Sequence, residues 1–215
     1  MSSARTLALL GDSILDNAPY TEPQPDTTHH LRQQLRGDWT VERLARDGAI
    51  MSDLRFQLAA LPDRVECVVL SIGGNDALEH VDLLERRASS AAQLFGALAD
   101  IADRFASAYM NLAKAVAART ARLVICTIYE PPLYDPLIAR LARVPLGVLN
   151  DRIVQVASRL SLEVLDLRSV CTERHDFVQQ IEPSARGAAK IATAIASLVR
   201  GTPELTTARV IAAPT

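Results

Sequence analysis

The chain has 215 residues, of which 49% are hydrophobic and 22% charged, and its formal net charge is −2. That balance excludes intrinsic disorder and leaves no basic surplus to draw nucleic acid or an anionic membrane. Aromatic residues make up only 4%, too few to stack bases or sugars, so a small-molecule ligand is the class that remains.

Five short apolar runs alternate with longer helical patterns along the chain. The first run, Thr6–Leu10, passes straight into Gly11-Asp12-Ser13 and is too short for the apolar part of a secretory signal. A helical pattern over Thr28–Leu35 precedes the second run, Trp39–Leu44, and another over Ser52–Leu61 precedes the third, Glu66–Ile72. Asp82–Arg119 is too long for an average helix, and Ser89-Ser90 and Gly96 are its candidate breaks. The fourth run, Arg122–Ile128, is followed by a helical pattern over Leu137–Leu160, and the fifth run is Leu162–Leu167. Glu182-Pro183-Ser184 then forms a cap region for a last helix over Ala185–Val199, with Ile191, Ile195, Leu198 and Val199 at one-face spacing.

Strands rich in Val, Ile and Leu that are separated by helices imply βαβ crossovers and a parallel sheet covered on both faces. The expected fold is therefore α/β, a three-layer α/β/α arrangement with a five-stranded parallel sheet. One domain over residues 1–200 is expected, with a tail at 201–215 in which Ala208–Ala213 has the pattern of a short extra strand. Nothing approaches the ~20 apolar residues that span a bilayer. Cys67, Cys126 and Cys171 are odd in number and lack metal-ligand spacing, which fits a reducing compartment. The expectation is a cytoplasmic protein without a membrane or nucleic-acid partner. No metal cluster, phosphate-binding glycine loop or dinucleotide fingerprint is present in the sequence, so no cofactor is expected. Oligomeric state leaves no sequence signal.

Ligands in such folds bind at the carboxyl ends of the strands, and three of those loops carry a set. Leu9-Leu10-Gly11-Asp12-Ser13 follows strand one, Arg46-Asp47-Gly48-Ala49 follows strand two, and Gly73-Gly74-Asn75-Asp76 follows strand three. In order, spacing and position the set resembles the conserved blocks of the SGNH (GDSL-type) hydrolase family, over roughly Leu7 to Val199. The resemblance implies a flavodoxin-like SGNH hydrolase fold and a serine hydrolase acting on a small ester. It implies Ser13 as nucleophile, with the Ser13 N–H, the Gly48 N–H and the Asn75 side-chain amide as oxyanion donors. Asp12 and Asp76 would orient their loops.

The fifth block of that family reads D-x-x-H before the final helix, and there this chain departs. Glu182 stands at the histidine position and Gln179 at the aspartate position. Three accounts follow. Glu182 acts as base, its pKa raised by burial. Alternatively another histidine serves, His175 in the same loop or His80 after Asp76, with His29 and His30 on a surface helix. In the third account the pocket binds a small polar ligand without hydrolysing it. Asp16-Asn17 reads either as a contact to such a ligand or as a plain helix-start turn. Tyr129-Glu130-Pro131-Pro132-Leu133-Tyr134 reads as pocket rim or ordinary loop. The long helical region after Asp82 leaves a protein-interaction role as the third class.

Overall fold

The computed structural model describes residues 4–84 and 87–201. Five strands, β1 (Arg5–Gly11), β2 (Trp39–Arg43), β3 (Cys67–Ser71), β4 (Leu123–Cys126) and β5 (Glu163–Leu165), form one sheet in the order β2-β1-β3-β4-β5. Every pairing is parallel. The five apolar runs are the five strands. Alternation along each strand sorts its side chains between two cores. Leu7, Leu9, Cys67, Val69, Val124 and Cys126 face one layer, which also holds Leu31 and Leu35 and the apolar side of the last helix. Ala8, Leu10, Val68, Leu70, Leu123 and Ile125 face the other.

The first layer contains α1 (Ala18–Thr21), α2 (Thr27–Gln34), α7 (Leu167–Val170) and α8 (Ala185–Arg200). On the opposite face lie α3 (Leu54–Ala59), α5 (Ala91–Ala117) and α6 (Pro136–Leu160). α4 (Gly74–Leu78) opens directly after β3, and a 3-10 turn at Val81–Leu84 follows it. The result is the three-layer α/β/α arrangement with a five-stranded parallel sheet.

The expected break in the Asp82–Arg119 stretch lies at Ser90, which caps α5 by accepting a hydrogen bond from the Gln93 N–H. Gly96, the other candidate, is inside a helix that continues through it. The cap was legible in the two serines, whereas a lone glycine costs a helix only about 1 kcal/mol and need not end it. Ser184 caps α8 as expected, accepting from the Gly187 N–H. A small hairpin of β6 (Phe177–Val178) and β7 (Glu182–Pro183) had no sequence signal and lies before that cap. Apart from Gly201, the tail at 201–215 and its Ala208–Ala213 segment are outside the described residues.

Candidate active site

In a 2-1-3-4-5 sheet the ligand crevice opens where the chain order reverses, between β1 and β3. Gly11 and Ser71 are partners at that point. Gly11 has φ +133°, and a Cβ there would be 1.7 Å from the Ser71 carbonyl oxygen, so only glycine fits. Its N–H and C=O are both taken by the side-chain amide of buried Gln57, at 2.8 Å each, and the Arg46 N–H adds a bond to the same carbonyl. Gln57 thus completes the ladder where no strand is available. The turn beyond is closed by the Leu15 and Asp16 N–H groups donating to the Asp12 carbonyl. Ser13 follows immediately and caps no helix, because α1 begins only at Ala18 with Asn17 as its N-cap. Among the described residues no acceptor takes the Ser13 N–H or the Gly48 N–H.

The other blocks are drawn to this turn by side chains that reach the backbone of a neighbouring loop. Asn75 donates from its amide nitrogen to the Ala49 carbonyl at 2.9 Å, and the Asp76 carboxylate accepts the Met51 N–H. Asp16 accepts the Asp47 N–H at 3.0 Å and pairs with Arg43 at 2.6 Å. Asn17, fully buried, accepts the Thr27 N–H and donates to the Pro183 carbonyl at 3.4 Å. Asp16 and Asn17 therefore spend their polar atoms on the protein. The polar-ligand reading of that pair is corrected in favour of a structural one. Gly48, at φ +75° with open space where a Cβ would go, owes its glycine to backbone conformation alone.

Ser13, Asn75 and Glu182 all line one cavity of about 150 Å³. Gly48 is not part of that lining and lies beside Ala49, whose carbonyl holds Asn75. His80 lines the cavity too. His175 does not: it is exposed, and its part is to accept the Ser184 hydroxyl on its backbone carbonyl. The reading of His175 as a base is set aside on that geometry. Of the loop after β4, Tyr129, Pro131 and Leu133 form cavity wall, whereas Tyr134 is 66% exposed and outside it. Among the described residues no group of three or more His, Cys, Asp or Glu converges to hold a metal.

A model of the GDSL-like lipase/acylhydrolase family matches residues 9–190. The chain belongs to that family. No curated protein sequence matches it. Among solved structures it is similar to phospholipase A1 from Streptomyces albidoflavus NA297, at 17% identity and TM-score 0.68, covering 91% of this chain and 99% of that one. It is also similar to Axe2, an acetylxylan esterase from Geobacillus stearothermophilus, at 17% identity and TM-score 0.62, covering 90% and 93%. An inhibitor-bound aryl esterase of M. smegmatis aligns at 18% identity and TM-score 0.62, covering 92% and 99%. At these identities the likeness is one of fold.

Within the GDSL framework the departure at the fifth block has a defined geometry. Glu182 is the first residue of β7, and the three-residue loop before it places Gln179 and Gln180 at φ +48° and +73°. Two successive non-glycine residues in the left-handed region are strained. The loop is held from outside, because the Tyr129 hydroxyl donates to the Ile181 carbonyl and Gln180 accepts the Tyr134 N–H at 2.7 Å. Gln179, at the family's aspartate position, is exposed and leaves Glu182 without an orienting carboxylate.

Electrostatics separate the two acids nearest the serine. Asp12 is 2% exposed, and burial pushes its carboxyl up to about 8; the Ile14 N–H opposes that shift, and the charges of Glu182 and Asp76 add to it. Burial also raises the Glu182 carboxyl, and the Ser13 hydroxyl facing it pulls the other way. Oε2 of Glu182 is buried with no hydrogen-bond partner among the described residues. At neutral pH buried Asp12 therefore holds its proton.

Asp176 was missed by the sequence reading. It is fully buried, accepts the Thr172 and Glu173 N–H groups and the Lys190 ammonium, and offers its carbonyl to the Ser184 N–H. Burial pushes its pKa up, but those hydrogen bonds win and hold it below the usual range. It shapes the loop that delivers Glu182. An aspartate inside a charged loop has no periodicity to betray such a role.

Proposed function

We propose that this chain is a serine ester hydrolase acting on a small ester through Ser13, with Glu182 as its base. The observation that carries the reading is the Ser13 hydroxyl facing a carboxyl of raised pKa, one oxygen of which, Oε2, is buried with no partner among the described residues. An ordinary glutamate, near pKa 4.3, is a weak base toward a hydroxyl, and burial narrows that gap.

In the proposed cycle Ser13 Oγ attacks the ester carbonyl carbon while its proton passes to the Glu182 carboxylate. The oxyanion is met by the Ser13 N–H, the Gly48 N–H and the free N–H of the Asn75 amide. The tetrahedral species collapses as the carbon–oxygen bond to the leaving group breaks, and Glu182 returns its proton to the departing alkoxide. Water then attacks the acyl-serine, loses its proton to Glu182, and the acid leaves as Ser13 recovers that proton. The sum is ester plus water to acid plus alcohol, with no cofactor consumed. Asp12, its carboxyl pushed up by burial, stays neutral and leaves the proton exchange to Glu182.

A second reading rests on the same fifth block. With no histidine there and Gln179 turned to solvent, the pocket would bind a small polar ligand without turnover. The deciding experiment is hydrolysis of p-nitrophenyl acetate and butyrate by the wild type beside Ser13→Ala. A rate lost with the hydroxyl supports the hydrolase; equal rates in the two proteins favour the binding protein. The hydrolase reading includes a reducing, cytoplasmic setting, supported by Cys67, Cys126 and Cys171 being buried and free. No helix among the described residues is long and apolar enough to cross a membrane.

A further inference from the structure

The cavity beside Ser13 is chemically one-sided. Asp12, Ser13, Asn75 and Glu182 gather at one end, and beyond them, among the described residues, His80 is the only other polar side chain apart from the phenol of Tyr129, whose hydroxyl is already donated to Ile181. The remainder is aliphatic wall. Leu98 and Ile101 come from α5, Ala142 and Leu146 from α6, and the helices pack on each other below. Leu78 and Val81 line the cavity and are also 47% and 56% exposed, so they stand at its mouth. A sugar or other polar group placed between α5 and α6 would lose its water without gaining partners. An acetyl group would leave most of the wall uncovered.

The direction of the ester follows from Glu182. Tyr20 lies on α1, which packs against the β7 that carries Glu182, and its hydroxyl donates to the Asp47 carboxylate; neither residue lines the cavity, so Glu182 has a polar edge outside it. The leaving oxygen must sit by Glu182 to take its proton, so the alcohol departs past that polar edge. The other substituent of the carbonyl carbon is left facing the apolar wall.

Building on the hydrolase reading, we infer that the acyl part of the substrate is an unbranched aliphatic chain longer than acetyl, seated between α5 and α6. Each methylene buried there raises kcat/KM by about fourfold until the wall is filled.

The test is a series of p-nitrophenyl esters from acetate through butyrate and hexanoate to octanoate, with wild type, Ala142→Trp and Leu98→Trp. The expected profile climbs with chain length in the wild type. Either tryptophan should cut the hexanoate-to-acetate ratio of kcat/KM at least tenfold. The second variant stands in if the first does not fold. Methyl hexanoate against hexyl acetate reads direction, and the methyl ester should win. A wild-type profile that is flat or falling, or a preference for hexyl acetate, would overturn the inference. Loss of the hydrolase reading is told apart by calorimetry on Ser13→Ala. Methyl hexanoate that binds this variant more tightly than methyl acetate, and less tightly once Ala142→Trp is added, upholds the chain-binding cavity even without turnover; equal binding of the two esters refutes it.

Discussion

The two sides of Ser13 are built on opposite principles. On the polar side, loops from four distant parts of the chain are fastened by single side chains that reach a neighbour's backbone. Gln57 reaches Gly11, Asp16 reaches Asp47, Asn75 reaches Ala49, and Asn17 reaches Pro183. On the apolar side, α5 and α6 present aliphatic side chains with no such directed bonds. Directed bonds fix atoms to within a fraction of an ångström, as a proton transfer demands. Dispersion and water exclusion fix only shape, which suffices to choose a chain length. On the proposed reading the contrast leaves chemistry and selectivity open to separate change.

The harshest way to break the polar side is Gly11→Ala, whose methyl would collide with the Ser71 carbonyl. It should cost more than about 3 kcal/mol of stability, or prevent folding altogether, as thermal unfolding of the purified variant would register.

Next in size is Glu182→Gln. It keeps the shape but cannot take a proton, and kcat should fall about 10³-fold with the fold intact. Steady-state kinetics beside circular dichroism checks both halves, and unchanged turnover would remove Glu182 from the proposed role. The wild type should also lose activity as pH falls through the raised Glu182 pKa, because the base must be ionised. Glu182→His should move that acid limb toward the ordinary imidazole range, near ~6.5.

Asp12 gives a stability prediction with a definite sign. Folding raises its pKa from an ordinary ~3.9 to about 8, so the folded chain binds this proton more tightly than the unfolded one. The contribution is fully present below the unfolded pKa and is lost as pH rises toward the folded one. Asp12→Asn keeps an oxygen for the Ile14 N–H and removes the titration. It should therefore gain on the order of a few kcal/mol over wild type between pH 5 and pH 8, measured by denaturant unfolding at both. A parallel pH dependence in the two proteins would sink the assignment of a buried, protonated Asp12.

The smallest effect sharpens the comparison most. Asn17→Ser removes the reach to Pro183 without touching the cavity, and kcat should drop about tenfold with KM nearly constant. The acid limb should shift as well, because Glu182 loses its fixed seat; a merely structural asparagine would lower the melting temperature and leave that limb in place.

How much of this was legible in the sequence follows the same divide. The strands were readable because a strand buried on both faces is a run of Val, Ile and Leu, and the turn that carries Ser13 because Gly-Asp-Ser follows such a run. Glu182 was found by its place before the last helix. The fasteners were not readable, since Gln57 and Asn17 act over 46 and 166 residues of separation and a polar side chain carries no mark of its distant partner. Asp16 and Asn17 were visible as unusual residues, yet their neighbours in space were not. The cavity was hidden for a different reason: the apolar residues of α5 and α6 read as core, and only their packing shows that a gap remains beside the serine.

The bond from Asn17 to Pro183 ties the first loop of the chain to the last hairpin. During synthesis Ser13 emerges from the ribosome long before Glu182, which lies in the last hairpin. On the proposed roles, an unfinished polypeptide would carry the nucleophile with no base beside it. On that reading hydrolytic competence would arise only once the last hairpin has been made, and fragments that lack it would cleave no ester.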